Sequence, residues 1–132
     1  MQFITLDEVL AIHSEMILLF GGRAGIHDFT LLHSAIERPK AQFGGTYLYT
    51  SIWIMAAALL HSLVKNHPFD DDNKRTAYTS TVRFLYKNGY NLKNKHLEGI
   101  EFMVGVDVKN TSIEEIADWL KKNSKKIRKF KL

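Results

Sequence analysis

The residues best suited to chemistry are concentrated in one stretch, HPFDDDNKRTA at positions 67–77. It contains a histidine, three consecutive aspartates, an asparagine and two cations: His67, Asp70, Asp71, Asp72, Asn73, Lys74 and Arg75. A carboxylate can hold Mg²⁺, and cations next to a helix N-terminus can bind phosphate. The combination indicates a site for phosphoryl or nucleotidyl transfer, with His67 as the general base on an attacking hydroxyl.

The same residues also have an ordinary structural interpretation. Asp and Asn are common helix N-caps, and Lys and Arg commonly face solvent. Adjacent carboxylates about 6 Å apart repel by roughly 2–3 kcal/mol at an effective dielectric constant near 20, and by much less when fully exposed. A partly buried loop would therefore need a cation. The residues alone leave both a phosphate-handling site and a plain connecting loop open.

Two predicted helices must hold this stretch. An apolar helix runs from about 51 to 65, and Pro68 should end it by disfavouring helical geometry at His67. A second helix runs from about 73 to 88 and closes at Gly89. The first is apolar nearly all round, which predicts a buried central helix.

Four further helices are predicted. Thr5 and Glu8 form a capping box that opens the first helix, with an inner stripe of Val9, Ile12, Met16 and Leu19. Asp28 is the expected N-cap of the second, which must stop near Arg38 because Pro39 follows. The third of these helices covers about 95–107, and the last one begins at Ser112. Residues 39–50 suit an exposed loop or a short hairpin. These elements predict an all-α fold, a compact bundle of about six helices.

Charge divides the chain into two parts. Residues 121–132 contain seven Lys and Arg and no acid, whereas the preceding residues contain eleven basic and fourteen acidic side chains. We therefore assign one domain to residues 1–120 and a basic tail to residues 121–132. The tail is interpreted as a solvated helix end, so nucleic-acid binding is unlikely except weakly through this segment.

Composition excludes several classes of protein. The chain has no cysteine, which excludes disulfides and thiolate metal sites and fits the cytoplasm. The N-terminus lacks a basic segment followed by an apolar run, so we expect no signal peptide. The longest apolar run, residues 52–64, would span about 20 Å as a helix, which is too short for a bilayer core of about 30 Å, so we expect no membrane partner.

The stretch NHPFDDDNKRTA resembles the signature of the Doc (death-on-curing) toxins, a branch of the Fic-domain superfamily. The general Fic motif is H-x-F-x-[DE]-G-N-G-R-x-x-R, and it is matched by His67, Phe69, Asp71, Asn73 and Arg75. GGRAGIHDFTLLHSAIERPKAQFGG resembles the region that leads into the flap of Doc proteins. AAALLHSLVKNHPF and RFLYKNGYNL resemble the helices on either side of the motif. The resemblance covers about residues 5–120 and implies a Fic/Doc-like bundle with a hairpin flap.

The resemblance implies a role for each matched residue. His67 would deprotonate a Ser or Thr hydroxyl of a target protein, and Asp71 would hold Mg²⁺. Phe69 would be a buried anchor of the loop. The residues expected to bind the nucleotide ATP together with backbone N–H groups are Asp72, Asn73, Lys74 and Arg75.

Lys74 indicates the type of transfer. The general motif has Gly at this position, and AMP-transferring Fic enzymes need a small residue there. Doc-type proteins have Lys and act as kinases, and Tyr78, in place of the last Arg of the motif, agrees with that type. The resemblance therefore implies phosphorylation of a threonine of elongation factor Tu, arrest of protein synthesis, and silencing by a Phd-like antitoxin.

Two departures from the family pattern leave alternatives open. Asp72 replaces the usual Gly or Ala, and its carboxylate could cap the next helix itself and oppose an incoming phosphate. His27 stands where Arg is common before the cap Asp28. An AMP transferase or a catalytically impaired binding module are the alternatives. The other histidines, His13, His33, His61 and His96, show no constellation of ligands, and His61 is interpreted as a core residue.

Overall fold

The computed structural model describes residues 1–93 and 96–128, which form a mainly helical bundle. Its helices are α1 (Leu6–Phe20), α2 (Phe29–Glu37), α3 (Ile52–Lys65), α4 (Asn73–Lys87), α5 (His96–Val108) and α6 (Ile113–Lys122). A short 3₁₀ turn, Arg38–Lys40, follows α2, and Pro39 lies within it. The predicted all-α class and the number of helices are confirmed for the described residues.

Side-chain caps explain where the helices begin. Thr5 and Glu8 form the predicted reciprocal capping box of α1, and Asp28 accepts from the Leu31 N–H at the start of α2. Ser51 and Ser112 accept from N–H groups in the first turns of α3 and α6. Each cap satisfies a backbone donor that has no partner within its helix.

Helix α3 is the centre of the bundle. It packs against α2, α4, α5 and α6, and most of its residues are buried. Its buried side chains are Met55, Ala56, Ala57, Ala58, Leu59, Leu60, Ser62, Leu63 and Val64. Because neighbours enclose it on several sides, an apolar surface nearly all round is what this position requires. The predicted central buried helix is confirmed.

Two small antiparallel sheets complete the fold. Strands β1 (Gln42–Phe43) and β2 (Thr46–Tyr47) form a hairpin in the region predicted to be a loop or short hairpin. Strand β3 (Tyr90–Leu92) pairs with β4 (Ser124–Lys126), which lies in the segment assigned to the basic tail. The Ile127 N–H also donates to the Gly89 carbonyl at 2.9 Å. Residues 124–127 are thus held against the body of the domain.

One predicted stripe is partly wrong. The buried residues of α1 are Val9, His13 and Met16, whereas Leu19 is 61% exposed. The buried positions follow one another at spacings of four and three residues, so Leu19 lies off the buried face of α1. Among the described residues, no helix is both long and apolar enough to cross a membrane.

Candidate active site

The stretch 67–77 forms the connection between α3 and α4 and the first turn of α4. Two of its residues have a left-handed backbone, His67 with φ 45° and Asp72 with φ 61°. Such conformations are unfavourable for residues with a side chain unless the surrounding structure holds them. The exposed His67 therefore projects from a constrained turn, as Pro68 predicts, and not from a helix.

Phe69 and Asn73 hold this loop in place. Phe69 is 2% exposed, as predicted for an anchor. The Asn73 amide accepts a hydrogen bond from the Phe69 N–H and donates one to the Phe69 carbonyl, both at 2.9 Å. The Pro68 carbonyl accepts from the N–H groups of His27 and Asp28 at 2.8 and 3.1 Å. These bonds attach the loop both to α4 and to the α1–α2 connection.

His13 also supports the loop, although it was assigned no role from its sequence context. Its ring stacks on Phe69 with centroids 3.7 Å apart and an angle of 8°. Its Nε2 lies 2.9 Å from the carbonyl oxygen of Asp71. The available indication was its spacing, four residues after Val9 and three before Met16, which places it on the buried face of α1.

His67 and Lys74 share one carboxylate, that of Asp107 near the end of α5. His67 Nε2 lies 3.1 Å from Asp107 Oδ1, and Lys74 Nζ lies 3.3 Å from Asp107 Oδ2. Partial burial pushes the pKa of Asp107 up, but the hydrogen bonds and charges of Lys74 and His67 outweigh burial and lower the pKa below its ordinary value. The carboxylate is therefore ionised and links the candidate base to the candidate phosphate-binding lysine.

Asp72 occupies the N-cap position of α4 but does not cap the helix with its side chain. The expectation that its carboxylate could cap α4 is wrong, because side-chain capping needs an extended backbone at the N-cap and that of Asp72 is left-handed. Asp72 Oδ1 lies 3.2 Å from Arg75 Nη1, and the Arg75 guanidinium lies 4.1 Å from the Phe20 ring centroid. Asp72 Oδ2 and Arg75 Nε are buried without a hydrogen-bond partner among the described residues.

The two other aspartates face the α1–α2 connection. Asp71 Oδ2 accepts from the Arg23 N–H at 2.6 Å and lies 3.6 Å from Arg23 Nε. Asp70 is exposed, and its Oδ1 lies 3.9 Å from His27 Nδ1. The Asp71 side chain retains considerable exposure, which fits a single carboxylate ligand completed by phosphate and water. Within the described part of the chain, no three or more acidic or histidine side chains form a metal-binding cluster.

A cavity of about 440 Å³ lies along the start of α4. Its lining contains all six residues proposed for the site (His67, Asp71, Asp72, Asn73, Lys74 and Arg75), together with Asp70, Ile100 and Val104. A second cavity of about 270 Å³ shares His67, Asp70 and Asn73 and adds Arg23, His27 and Phe69. The first cavity combines an apolar wall from α5 with the cations and first N–H groups of α4. It can accept an anionic ligand that has an apolar portion.

Comparison with known proteins assigns the family. The model of the Fic/DOC family matches residues 3–85. The chain belongs to the Fic/DOC family. It is 40% identical over 91 residues to Toxin Doc of Mycolicibacterium smegmatis, which covers 69% of this chain and 68% of the relative. It is 30% identical over 122 residues to Protein kinase doc of Escherichia phage P1, which covers 92% of this chain and 95% of the relative.

These relatives confirm the family that the motif suggested. The near full-length likeness to a protein kinase supports the predicted class of enzyme, a kinase or related transferase. The family match contains the complete loop, all of α3 and α4 as far as residue 85. It ends at residue 85, so Asp107, which contacts the loop from α5, lies outside it.

Proposed function

We propose that this protein is a Doc-like toxin kinase, which transfers the γ-phosphate of ATP to a threonine hydroxyl of a protein. One observation carries the proposal: His67 and two cations, Lys74 and Arg75, line one cavity at the N-terminus of α4. The family and the relative named as a protein kinase support the same reaction.

Each residue of the loop has a proposed role. His67 accepts the proton of the target hydroxyl. The hydroxyl oxygen bonds to the γ-phosphorus while the bond between the γ-phosphorus and the ADP oxygen breaks. Lys74, Arg75 and the first N–H groups of α4 bind the phosphate oxygens. Asn73 contributes by holding the loop through Phe69.

Asp71 is the residue proposed to hold Mg²⁺. When bound, this ion supplies positive charge that neutralises the phosphate oxygens. Asp71 Oδ2 already accepts from the Arg23 N–H, so the backbone at Arg23 fixes the direction of the carboxylate. A carboxylate fixed in this way needs little reorganisation to bind a cation.

Lys74 favours a kinase over an AMP transferase. Its side chain lies on the cavity wall, where the general Fic motif has a residue without a side chain. The ammonium group lies 3.3 Å from Asp107, and a side chain at this position would crowd the α- and β-phosphates in AMP transfer. Asp72, by contrast, favours the second candidate, a catalytically impaired binding module, because its carboxylate engages Arg75.

The cellular role is proposed from the relatives. One of them is named Toxin Doc, which supports a toxin that is paired with an antitoxin of the Phd type. The proposed target is a threonine of elongation factor Tu, in the cytoplasm, and its phosphorylation would stop protein synthesis.

A paired labelling experiment tests the proposal. The protein is incubated with a bacterial lysate and with ATP labelled either at the α- or at the γ-phosphate. We expect γ-label on a protein of the lysate, and no labelling by His67→Ala. His33→Ala is the matched control, because His33 is an exposed histidine on α2 outside both cavities.

The alternatives give different results. Transfer of the α-label identifies an AMP transferase and refutes the kinase proposal. No transfer of either label, combined with no binding of ATP·Mg²⁺ in calorimetry, identifies the impaired binding module.

A further inference from the structure

Asp107 lies outside the Fic/Doc motif but contacts its two most chemically active side chains. It follows Ile100 by seven residues and Val104 by three, so all three share the face of α5 that borders the first cavity. Its carboxylate reaches His67 with one oxygen and Lys74 with the other. The Asp107 side chain is 18% exposed, whereas His67 and Lys74 are 51% and 38% exposed, so the carboxylate is the shielded member of both contacts.

The position of Asp107 is itself held by other bonds. Lys65, the last residue of α3, donates from Nζ to the Asp107 carbonyl at 2.8 Å and to Asn110 Oδ1 at 3.1 Å. This anchors the end of α5 beside the point where α3 ends and the loop begins. Asp107 and His67 are therefore attached to the same rigid part of the bundle.

The contact decides which ring nitrogen of a neutral His67 carries the hydrogen. An ionised carboxylate can only accept hydrogen bonds, so the nitrogen that faces it, Nε2, must be the donor. Nδ1 then keeps its lone pair and is the nitrogen that can take a proton. When it does, the imidazolium that forms lies next to a negative charge.

We infer that Asp107 is a positioning residue of the reaction, which fixes the Nε2–H tautomer of His67 and holds Lys74 beside the cavity. This inference rests on the proposed function for its kinetic consequence, whereas its effect on the tautomer can be measured without any substrate. It assigns to α5 a part of the site that the loop motif does not contain.

Asp107→Asn is the informative substitution because the shape of the side chain is kept. Lys74 can only donate, so the amide oxygen must face Lys74 and the amide NH₂ must face His67. The NH₂ group is a donor, and His67 Nε2 must then become the acceptor. Asparagine should therefore invert the tautomer, leaving the hydrogen on Nδ1, where it blocks proton uptake.

Long-range ¹H–¹⁵N correlation spectra of the nucleotide-free protein measure this directly. The spectra are recorded at a pH where His67 is neutral, and His67→Ala identifies its signals. We expect Nε2–H in the wild type and Nδ1–H in Asp107→Asn. Glu101→Gln is the matched control, since Glu101 is an exposed acid on the same helix and is not among the residues that line either cavity.

Kinetics provide the second measurement. For Asp107→Asn we expect kcat to fall at least about tenfold, because the inverted tautomer blocks proton uptake by His67. The KM for ATP should stay constant or fall, because Lys74 is no longer neutralised by a carboxylate. A substitution that only loosened the fold would raise KM as well and would leave the remaining His67 signal as Nε2–H.

The possible failures can be told apart. An unchanged tautomer in Asp107→Asn refutes the inference, whatever the activity, as does an inverted tautomer with unchanged kcat. If the wild type transfers no phosphate but the tautomer inverts, the proposed kinase function fails and the positioning of His67 by Asp107 stands.

Discussion

Asp72 provides a sharp test of how the loop binds phosphate. Its carboxylate lies at the N-terminus of α4, where an incoming phosphate would bind, and it engages Arg75 at 3.2 Å. The Asp72 carboxylate and the phosphate are both anionic, so Asp72 should repel the phosphate and compete with it for Arg75. We expect the wild type to bind ATP·Mg²⁺, and Asp72→Gly or Asp72→Asn to bind it more tightly.

The size of the effect follows from the geometry. Two unit charges about 6 Å apart repel by about 3 kcal/mol at an effective dielectric constant of about 20. Arg75 neutralises part of this charge and water screens the open side of the cavity, so we expect about 1.4 kcal/mol, a tenfold decrease in Kd.

The backbone at position 72 allows these substitutions. With φ 61°, Asp72 has a conformation that glycine adopts without strain and asparagine tolerates well. The side chain is only 10% exposed, but its one ionic partner among the described residues is the partly exposed Arg75. We therefore expect both variants to fold, with Tm changed by only a few degrees.

Isothermal titration calorimetry with ATP·Mg²⁺ measures the change, and Asp70→Asn is the control. It removes the same charge two residues away, from an exposed carboxylate that faces His27. Equal tightening by Asp70→Asn would mean that only the net charge of the loop matters. Unchanged or weaker binding by both Asp72 variants would refute the competition between Asp72 and phosphate.

Two predictions concern stability. Phe69→Ala removes a ring that is buried against His13, so the free energy of unfolding in urea should fall by about 3–5 kcal/mol. The control is Phe43→Ala, at a side chain that is 84% exposed, which should change the free energy of unfolding by less than about 0.5 kcal/mol. An equal loss from both would contradict the anchoring role of Phe69. Burial pushes the pKa of Glu8 up, but hydrogen bonds from Lys87, Arg83 and the Thr5 backbone outweigh it and lower the pKa to about 2. Because the folded-state pKa of Glu8 is depressed, its stabilisation is complete above about pH 5 and is lost as the pH falls toward 2. Allowing for solvent screening, the free energy of unfolding of the wild type should fall by about 1–2 kcal/mol relative to that of Glu8→Gln over this range. An equal pH dependence of the two proteins in urea unfolding would contradict the assignment.

Local sequence accounts for much of the fold because its causes lie within a few residues. Three helices begin at N-caps whose side chains accept from N–H groups three residues away: Thr5, Asp28 and Ser112. Pro68 ends α3 by its own geometry. The predicted inner stripe of α1 failed at Leu19, because the face of a helix that is buried depends on how the helix docks against its neighbours.

The contacts that complete the site could not be predicted in this way. The carboxylate of Asp107 reaches His67 across 40 positions of the chain, and His13 reaches the carbonyl of Asp71 across 58. Such pairs depend on how α1 and α5 dock against the α3–α4 pair, which hydrophobic periodicity does not specify. One local sign of Asp107 existed, since an acid in the last turn of a helix is disfavoured by the helix dipole and suggests a nearby cation.

The helices, the side-chain caps of α1, α2 and α6 and the chemical groups of the loop between α3 and α4 could be predicted from the sequence, because these follow from propensity, spacing and short-range bonds. The sequence also pointed to Asp72 as the unusual residue of the motif. What each of these groups contacts depends on the packing of the helices. Asp72 turns to Arg75 and leaves the helix end uncapped, Asn73 holds Phe69, and Asp107 joins His67 to Lys74. These arrangements arise because helix packing brings distant residues within hydrogen-bonding distance.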